Sequence, residues 1–163
     1  MHGREAVLCV SIVVGAGCAR PGEVHVAPDE SKPHLSWEIR SGTGEGDGAF
    51  VCGSAQPGRP CVLAASTAES QTLAAVHLLA HAAAQPTSYL GFMRPTFLEG
   101  DTSRKLGELN VTVEPGSRPV GTTVLGRVTS EAGSYELIVS VDATQPGSPA
   151  PQHIPARVPV EVK

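Results

Sequence analysis

Apolar and polar residues along this chain alternate more often than they recur at helical spacing. In the segment Tyr135-Glu136-Leu137-Ile138-Val139-Ser140-Val141, Tyr135, Leu137, Val139 and Val141 fall on one side and Glu136 and Ser140 on the other, with Ile138 interrupting the polar side. A period of two places the four apolar residues on one face of a half-buried strand. Residues 109–113, 122–128 and 154–162 are similarly rich in β-branched side chains, and a short strand is predicted around Trp37 over residues 34–40. Pro155 and Pro159 offer no N–H to a ladder, so the last of these strands is expected at a sheet edge. Pro115-Gly116, Ala132-Gly133 and Gln145-Pro146-Gly147 punctuate the series at turn-like intervals. Short strands at this spacing predict a sandwich or barrel.

Residues 64–98 admit two readings. Residues 69–84 are rich in Ala and Leu, with Ser66 or Ser70 placed to cap and Pro86 to stop, which by propensity favours a helix. Ala74, Val76, Leu78 and Ala80 nevertheless make one apolar face with period two. Beyond residues 85–88, Tyr89-Leu90-Gly91-Phe92-Met93 is expected to pair back on them as a hairpin. The strand reading is adopted over residues 69–84. Residues 41–48 are half Gly and predict a flexible loop; their spacing fails the phosphate-loop pattern because Asp47 occupies the third Gly position. Glu45 and Asp47 would repel phosphate; a calcium loop would use them, but a solvated linker is the simpler reading.

Composition narrows the class. The 163 residues include 18 Gly and 14 Pro, about a fifth of the chain, against a long-helix bundle or coiled coil. Twelve Lys and Arg against 16 Asp and Glu give a net charge of −4, with no basic run, which removes the electrostatic footprint of nucleic-acid binding.

At the N-terminus, one Arg precedes an apolar run over residues 6–16 that only Ser11 breaks, the layout of a secretory signal and too short to cross a bilayer. The run ends in Val14-Gly15-Ala16-Gly17-Cys18, which resembles the lipobox of bacterial lipoproteins, over the first 18 positions only. Two positions depart from that pattern: Gly15 stands where Leu, Val or Ile is usual, and Glu5 offsets Arg4. The resemblance implies a signal peptide over residues 1–17 and acylation of Cys18 as the mature N-terminus, since several acyl chains anchor stably where one does not. Ala19 after the Cys fits the family's sorting to the outer membrane, facing the periplasm. The alternative is an ordinary signal cut after Ala16, giving a secreted or soluble periplasmic protein. Residues 18–33, with Pro21, Gly22, Pro28 and Pro33 among polar residues, then read as a tether reaching at most about 50 Å extended and about 20 Å as a coil. A single domain over residues 34–163 follows.

Removing the signal peptide discards Cys9 and lipidation uses Cys18, leaving Cys52 and Cys61 as an even pair that an exported protein is expected to oxidise. Residues 53–60 between them are turn chemistry, and eight intervening residues match no zinc knuckle. Glu131-Ala132-Gly133-Ser134-Tyr135-Glu136-Leu137 resembles the acidic-x-Gly-x-Tyr-x-Cys element that begins strand F of immunoglobulin-like domains, with Leu137 in place of the Cys. That resemblance implies an immunoglobulin-like antiparallel β-sandwich in which Tyr135 is a tyrosine corner, its ring buried and its hydroxyl bonded to upstream backbone.

Candidate chemistry is sparse. His77 and His81 would lie about 6 Å apart on a helix, within reach of one metal, but about 13 Å apart on a strand. The residues between them lack the Glu of a metalloprotease helix. His25, His34 and His153 are expected in tether or loop segments, exposed to solvent. There is no Gly-x-Ser-x-Gly elbow, six aromatic residues leave few for a carbohydrate platform, and the sequon Asn110-Val111-Thr112 falls inside a predicted strand. The sequence therefore predicts a non-enzymatic, cofactor-free module. Its expected partners are the membrane, through its acyl chains, and an envelope protein or polymer. The alternative is an exported enzyme or metal-handling protein using His77 and His81.

Overall fold

Nine strands form among the described residues: β1 (Leu35–Gly42), β2 (Ala49–Gly53), β3 (Cys61–Leu63), β4 (Leu73–Ala80), β5 (Thr87–Pro95), β6 (Gly107–Val113), β7 (Val120–Arg127), β8 (Gly133–Thr144) and β9 (Gln152–Val162). The structure is a computed structural model and describes residues 28–43, 48–100 and 106–163. The signal peptide, Cys9, Cys18, the first part of the tether, His25, Glu45 and Asp47 lie outside the described residues. The strands make two sheets, ordered β2-β1-β4-β7 and β3-β9-β8-β5-β6. Ile39, Val76, Leu78 and Val124 from the first share one buried core with Tyr89, Leu109, Leu137 and Val141 from the second. The fold is an all-β sandwich.

Turn chemistry sets the strand ends. Gln56-Pro57-Gly58-Arg59, Glu114-Pro115-Gly116-Ser117 and Gln145-Pro146-Gly147-Ser148 each close with the fourth N–H donating to the first carbonyl, at 3.1–3.2 Å. Their glycines have φ of 84°, 77° and 77°, which a type II turn requires at its third residue, and Pro supplies the second. Gly91 answers a different need. A Cβ there would stand 2.1 Å from the carbonyl oxygen of Ser140, so only Gly lets β8 approach β5 at this point.

Long-range pairing departs from the local reading in several places. The hairpin expected between residues 69–84 and Tyr89–Met93 does not form: β4 pairs with β1 and β7, while β5 pairs with β6 and β8 in the opposite sheet. Both edges of β4 are already occupied, so the chain after it must cross the sandwich. Ser41 and Gly42, expected in a loop, complete β1 opposite β2 and β4. The β2 and β3 strands were not legible, being short and flanked by Gly and Pro. β9 lies between β3 and β8 and not at an edge. β3 reaches only Val160–Val162, however, leaving Pro155 and Pro159 where one side of β9 has no partner, and there the missing N–H costs no ladder bond. The β3–β9 pair runs parallel, correcting a wholly antiparallel sandwich; most of the chain separates the two, so no hairpin fixes their relative direction.

Both long sides of the sandwich are closed. On one, Cys52 of β2 is bonded to Cys61 of β3, with Cα atoms 5.3 Å apart, tying an edge of each sheet to the other. On the other, the segment after β5 crosses to the end of β7: Glu99 N–H donates to Arg127 O at 2.8 Å and Thr129 N–H to Phe97 O at 2.9 Å, with the Phe97 ring fully buried.

Opening the disulfide releases a loop of about ten residues, so the Cys52→Ala/Cys61→Ala double variant is expected to lose roughly 2.7 kcal/mol. At this chain length that is a melting-temperature drop on the order of 10 °C, checked by calorimetry. An unchanged melting temperature would show that the apolar core alone sets the β2–β3 alignment.

Candidate functional site

Antiparallel register brings together residues that sequence reasoning kept apart. β1 and β4 pair with Leu35 opposite Ala80, and one further step places His34 opposite His81. Their rings stack, with centroids 4.6 Å apart and planes 16° from parallel. His34 is half-buried where an exposed ring was expected, because Pro33 before it is buried and its face is covered by His81. The Nδ1 of His34 lies 3.0 Å from Lys32 O; since a carbonyl only accepts, Nδ1 carries the proton. His81 Nε2 and Ser36 Oγ are hydrogen-bonded at 2.6 Å.

Beneath the stack is Tyr89, which is 0% exposed. Its hydroxyl donates to His81 O at 2.7 Å and accepts from His34 N–H at 3.3 Å, so one buried phenol pins the backbone of both histidines. Burial pushes the Tyr89 hydroxyl above its ordinary range, opposed by its bond to the His34 backbone, and it stays neutral. Burial is also the main cause that lowers His81 below the ordinary imidazole value of 6.5; charge on His34 adds to it and Glu30 opposes it. A lowered value means the fold favours neutral His81. Its contribution to stability is present above about pH 6.5 and is lost as pH falls through the lowered value. The rings line a cleft of about 380 Å³ at one end of the sandwich, with Glu30, Ala83, Ser117 and Pro119. Neither His34 nor Tyr89 carries a local signal of this role; only the β1–β4 register does.

His77 and His81 are not brought together. His77 sits within β4 on the outer face, between Glu38 and Thr123 in register, and its Nδ1 is 2.8 Å from Thr123 Oγ1. His81 lies beyond the strand end, about 13 Å along extended backbone. Among the described residues, no three His, Cys, Asp or Glu side chains gather where they would hold a metal ion. His153, expected in a loop, is on β9, exposed, with Nδ1 2.8 Å from the Asp142 carboxylate. Tyr135 begins the buried row of β8; its ring is half-buried against the core and its hydroxyl donates to Glu131 O at 3.0 Å, near the surface.

The outer face of the five-stranded sheet carries a second feature. Asn110, Leu90, Asp142 and His153 form one row across β6, β5, β8 and β9, and Glu108, Phe92, Ser140 and Pro155 the next. Leu90 is 63% exposed and Leu106 36%, beside the open edge of β6. Leu90, Phe92, Leu106 and Asn110 line a shallow, mainly apolar depression there.

Tyr89→Phe keeps the ring but leaves His81 O and His34 N–H without a buried partner, and is expected to cost about 1–3 kcal/mol in urea denaturation. Tyr135→Phe is expected to cost less, because water can replace the lost partner at the surface. Equal costs for the two would place the buried hydrogen-bonding demand elsewhere. No family model, no curated protein and no solved structure matches the chain.

Proposed function

We propose that this protein is a lipid-anchored, non-enzymatic binding module of a bacterial envelope, acylated at Cys18 in the outer membrane and facing the periplasm. On this reading it presents an immunoglobulin-like β-sandwich to a protein partner. The observation that carries the binding reading is the outer face of the five-stranded sheet, where aliphatic Leu90 and Leu106 stand in water beside an edge of β6 that pairs with no described strand. Removing such side chains from water favours association, and the free N–H and C=O groups of β6 can receive an extended polypeptide segment. A sugar polymer is favoured less, since polysaccharide sites stack rings on exposed aromatics and the Phe92 lining this depression is half-buried beside Leu90 and Leu106.

The lipobox resemblance at Val14–Cys18 and the oxidised Cys52–Cys61 pair support export. The two-sheet sandwich and the Tyr135 hydroxyl bonded four residues upstream support the immunoglobulin-like assignment. Leu137, at the position of that family's Cys, is fully buried, and the bridge here joins β2 and β3 instead. His77 and His81, which an enzymatic or metal-handling reading would use jointly, are each held in separate contacts.

Cys18→Ser is expected to move the protein from the membrane to the soluble fraction, and mass spectrometry of the wild type to find an acylated Cys18 at the N-terminus. Gly17 or Met1 found there would overturn the anchor. A photo-crosslinking residue at Asn110 in native envelopes is expected to capture a protein, and Leu90→Asp to abolish that capture. At so exposed a site Leu90→Asp is expected to change stability within about 0.5 kcal/mol. Capture that survives Leu90→Asp, or capture of polysaccharide alone, would refute binding of a protein through this face.

A further inference from the structure

Residues 28–34 form a strap that leads into β1 across one end of the sandwich. The strap is locally ordered: the Asp29 carboxylate accepts from Ser31 N–H at 3.0 Å and Ser31 Oγ at 2.6 Å, and Lys32 N–H donates to Asp29 O at 2.9 Å. Its hold on the body is narrower. Ala84 N–H donates to Ser31 O at 3.1 Å, His81 N–H to His34 O at 3.2 Å and His34 N–H to the Tyr89 hydroxyl, while the His34 and His81 rings stack above. Each of these contacts joins the strap to the β4–β5 crossing or to Tyr89.

We propose that this strap is an acid-releasable latch, closed while the stacked His34 and His81 rings are uncharged and opened when both take up a proton. With Nδ1 of His34 already donating to Lys32 O, the second proton goes to Nε2, and two imidazolium rings then face each other at 4.6 Å. Like charges at that distance repel, and His81 is partly withdrawn from the water that would screen it. The surrounding groups do little to neutralise the pair. On the strap, Glu30 lines the cleft but is exposed, and Lys32 is paired with Asp29 at 3.4 Å. β1 contributes the Ser36 hydroxyl, the β4–β5 crossing contributes Ala82, Ala83 and Ala84, and β5 contributes neutral Tyr89. The β6–β7 turn presents Gly116, Ser117 and Pro119, with its charged Glu114 and Arg118 not lining the cleft. Among the described residues, one exposed carboxylate thus stands against two imidazoliums.

The direction follows from neutral His81 being the docked form: the latch is closed above the ordinary imidazole range and opens as the pH falls through the lowered His81 value. Release frees seven residues, up to about 25 Å of extended chain. If the protein is anchored at Cys18, a point that rests on the proposed function, acidification lets the sandwich stand further from the membrane; the release itself does not depend on the anchor.

Amide hydrogen exchange on the full mature protein, corrected for intrinsic rates, tests the latch. Between about pH 7.5 and about pH 5, protection of the His34, His81 and Ala84 amides is expected to fall by about tenfold or more, while β8 amides keep theirs. His34→Phe, which keeps a stacking ring without a titrating group, is expected to hold protection at about pH 5; His81→Phe serves as the second variant should His34→Phe fold poorly. Equal protection at both pH values, opening of the Phe variant like the wild type, or loss of β8 protection in step with the strap would each overturn the latch. Repeating the measurement on Cys18→Ser separates the two readings: unchanged strap release in a protein that proves not to be anchored leaves the latch standing and removes only its membrane role.

Discussion

Ile39, Val76, Leu78 and Val124 on one sheet are buried only because Tyr89, Leu109, Leu137 and Val141 on the other cover them, and the reverse is equally true. Each sheet's inner row is covered by the other sheet's, so the molecule depends on the two being held against each other. A buried Leu or Val contributes about 1.5–3 kcal/mol. The Cys52–Cys61 bridge, at roughly 2.7 kcal/mol, is thus worth about one such side chain. Its larger role is geometric: it joins β2 to β3 on one long side, while the backbone bonds between Phe97–Glu99 and Arg127–Thr129 join the other.

Tyr89 connects this core to the end of the molecule where the strap arrives. A phenol in an apolar layer must find a partner for its hydroxyl, and the end of the sandwich offers backbone groups within its reach. The hydroxyl reaches the carbonyl of His81 just beyond β4 and the N–H of His34 just before β1. Core packing and strap docking therefore share one residue. The chemistry closest to a titratable switch sits on that junction and not on the open faces, where His77 and His153 are engaged with Thr123 and Asp142.

The two outer faces each mix polar and aliphatic positions. On the four-stranded sheet the Glu38–Arg40 ion pair at 2.8 Å, His77 with Thr123, and Arg59 over the Phe50 ring at 5.1 Å satisfy one another. Exposed ion pairs of this kind are worth about 0–1 kcal/mol, and their effect is a well-hydrated surface. Exposed aliphatic side chains stand beside both sheets, Leu79 and Leu125 on the four-stranded one and Leu90 and Leu106 at the five-stranded one, with Leu90 the most exposed. The edges differ: β2 is short and bulged, β3 has three residues, and the open stretch of β9 carries Pro155 and Pro159, all features that discourage strand addition. β6 and β7, each near exposed aliphatic side chains, have none of them.

Period-two alternation was legible by itself in β8 and in β4, where burial of Ala74, Val76, Leu78 and Ala80 outweighs the helical propensity of an Ala-rich segment. So were the Pro-Gly turns and the Cys52–Cys61 pair, because each is a statement about neighbouring residues. What alternation cannot carry is the identity of the adjacent strand. Tyr89–Met93 alternates as a hairpin partner of β4 would, yet β1 and β7 occupy both sides of β4 and β5 belongs to the other sheet. The same limit hid His34 from His81, two residues 47 positions apart that became neighbours only through the β1–β4 register. Local chemistry decides whether a segment is extended and which side of it seeks the core, since those depend on backbone sterics and side-chain polarity a few residues apart. Which segments then lie together is decided by the joint burial of both sheets, a long-range free energy that no single window of sequence contains.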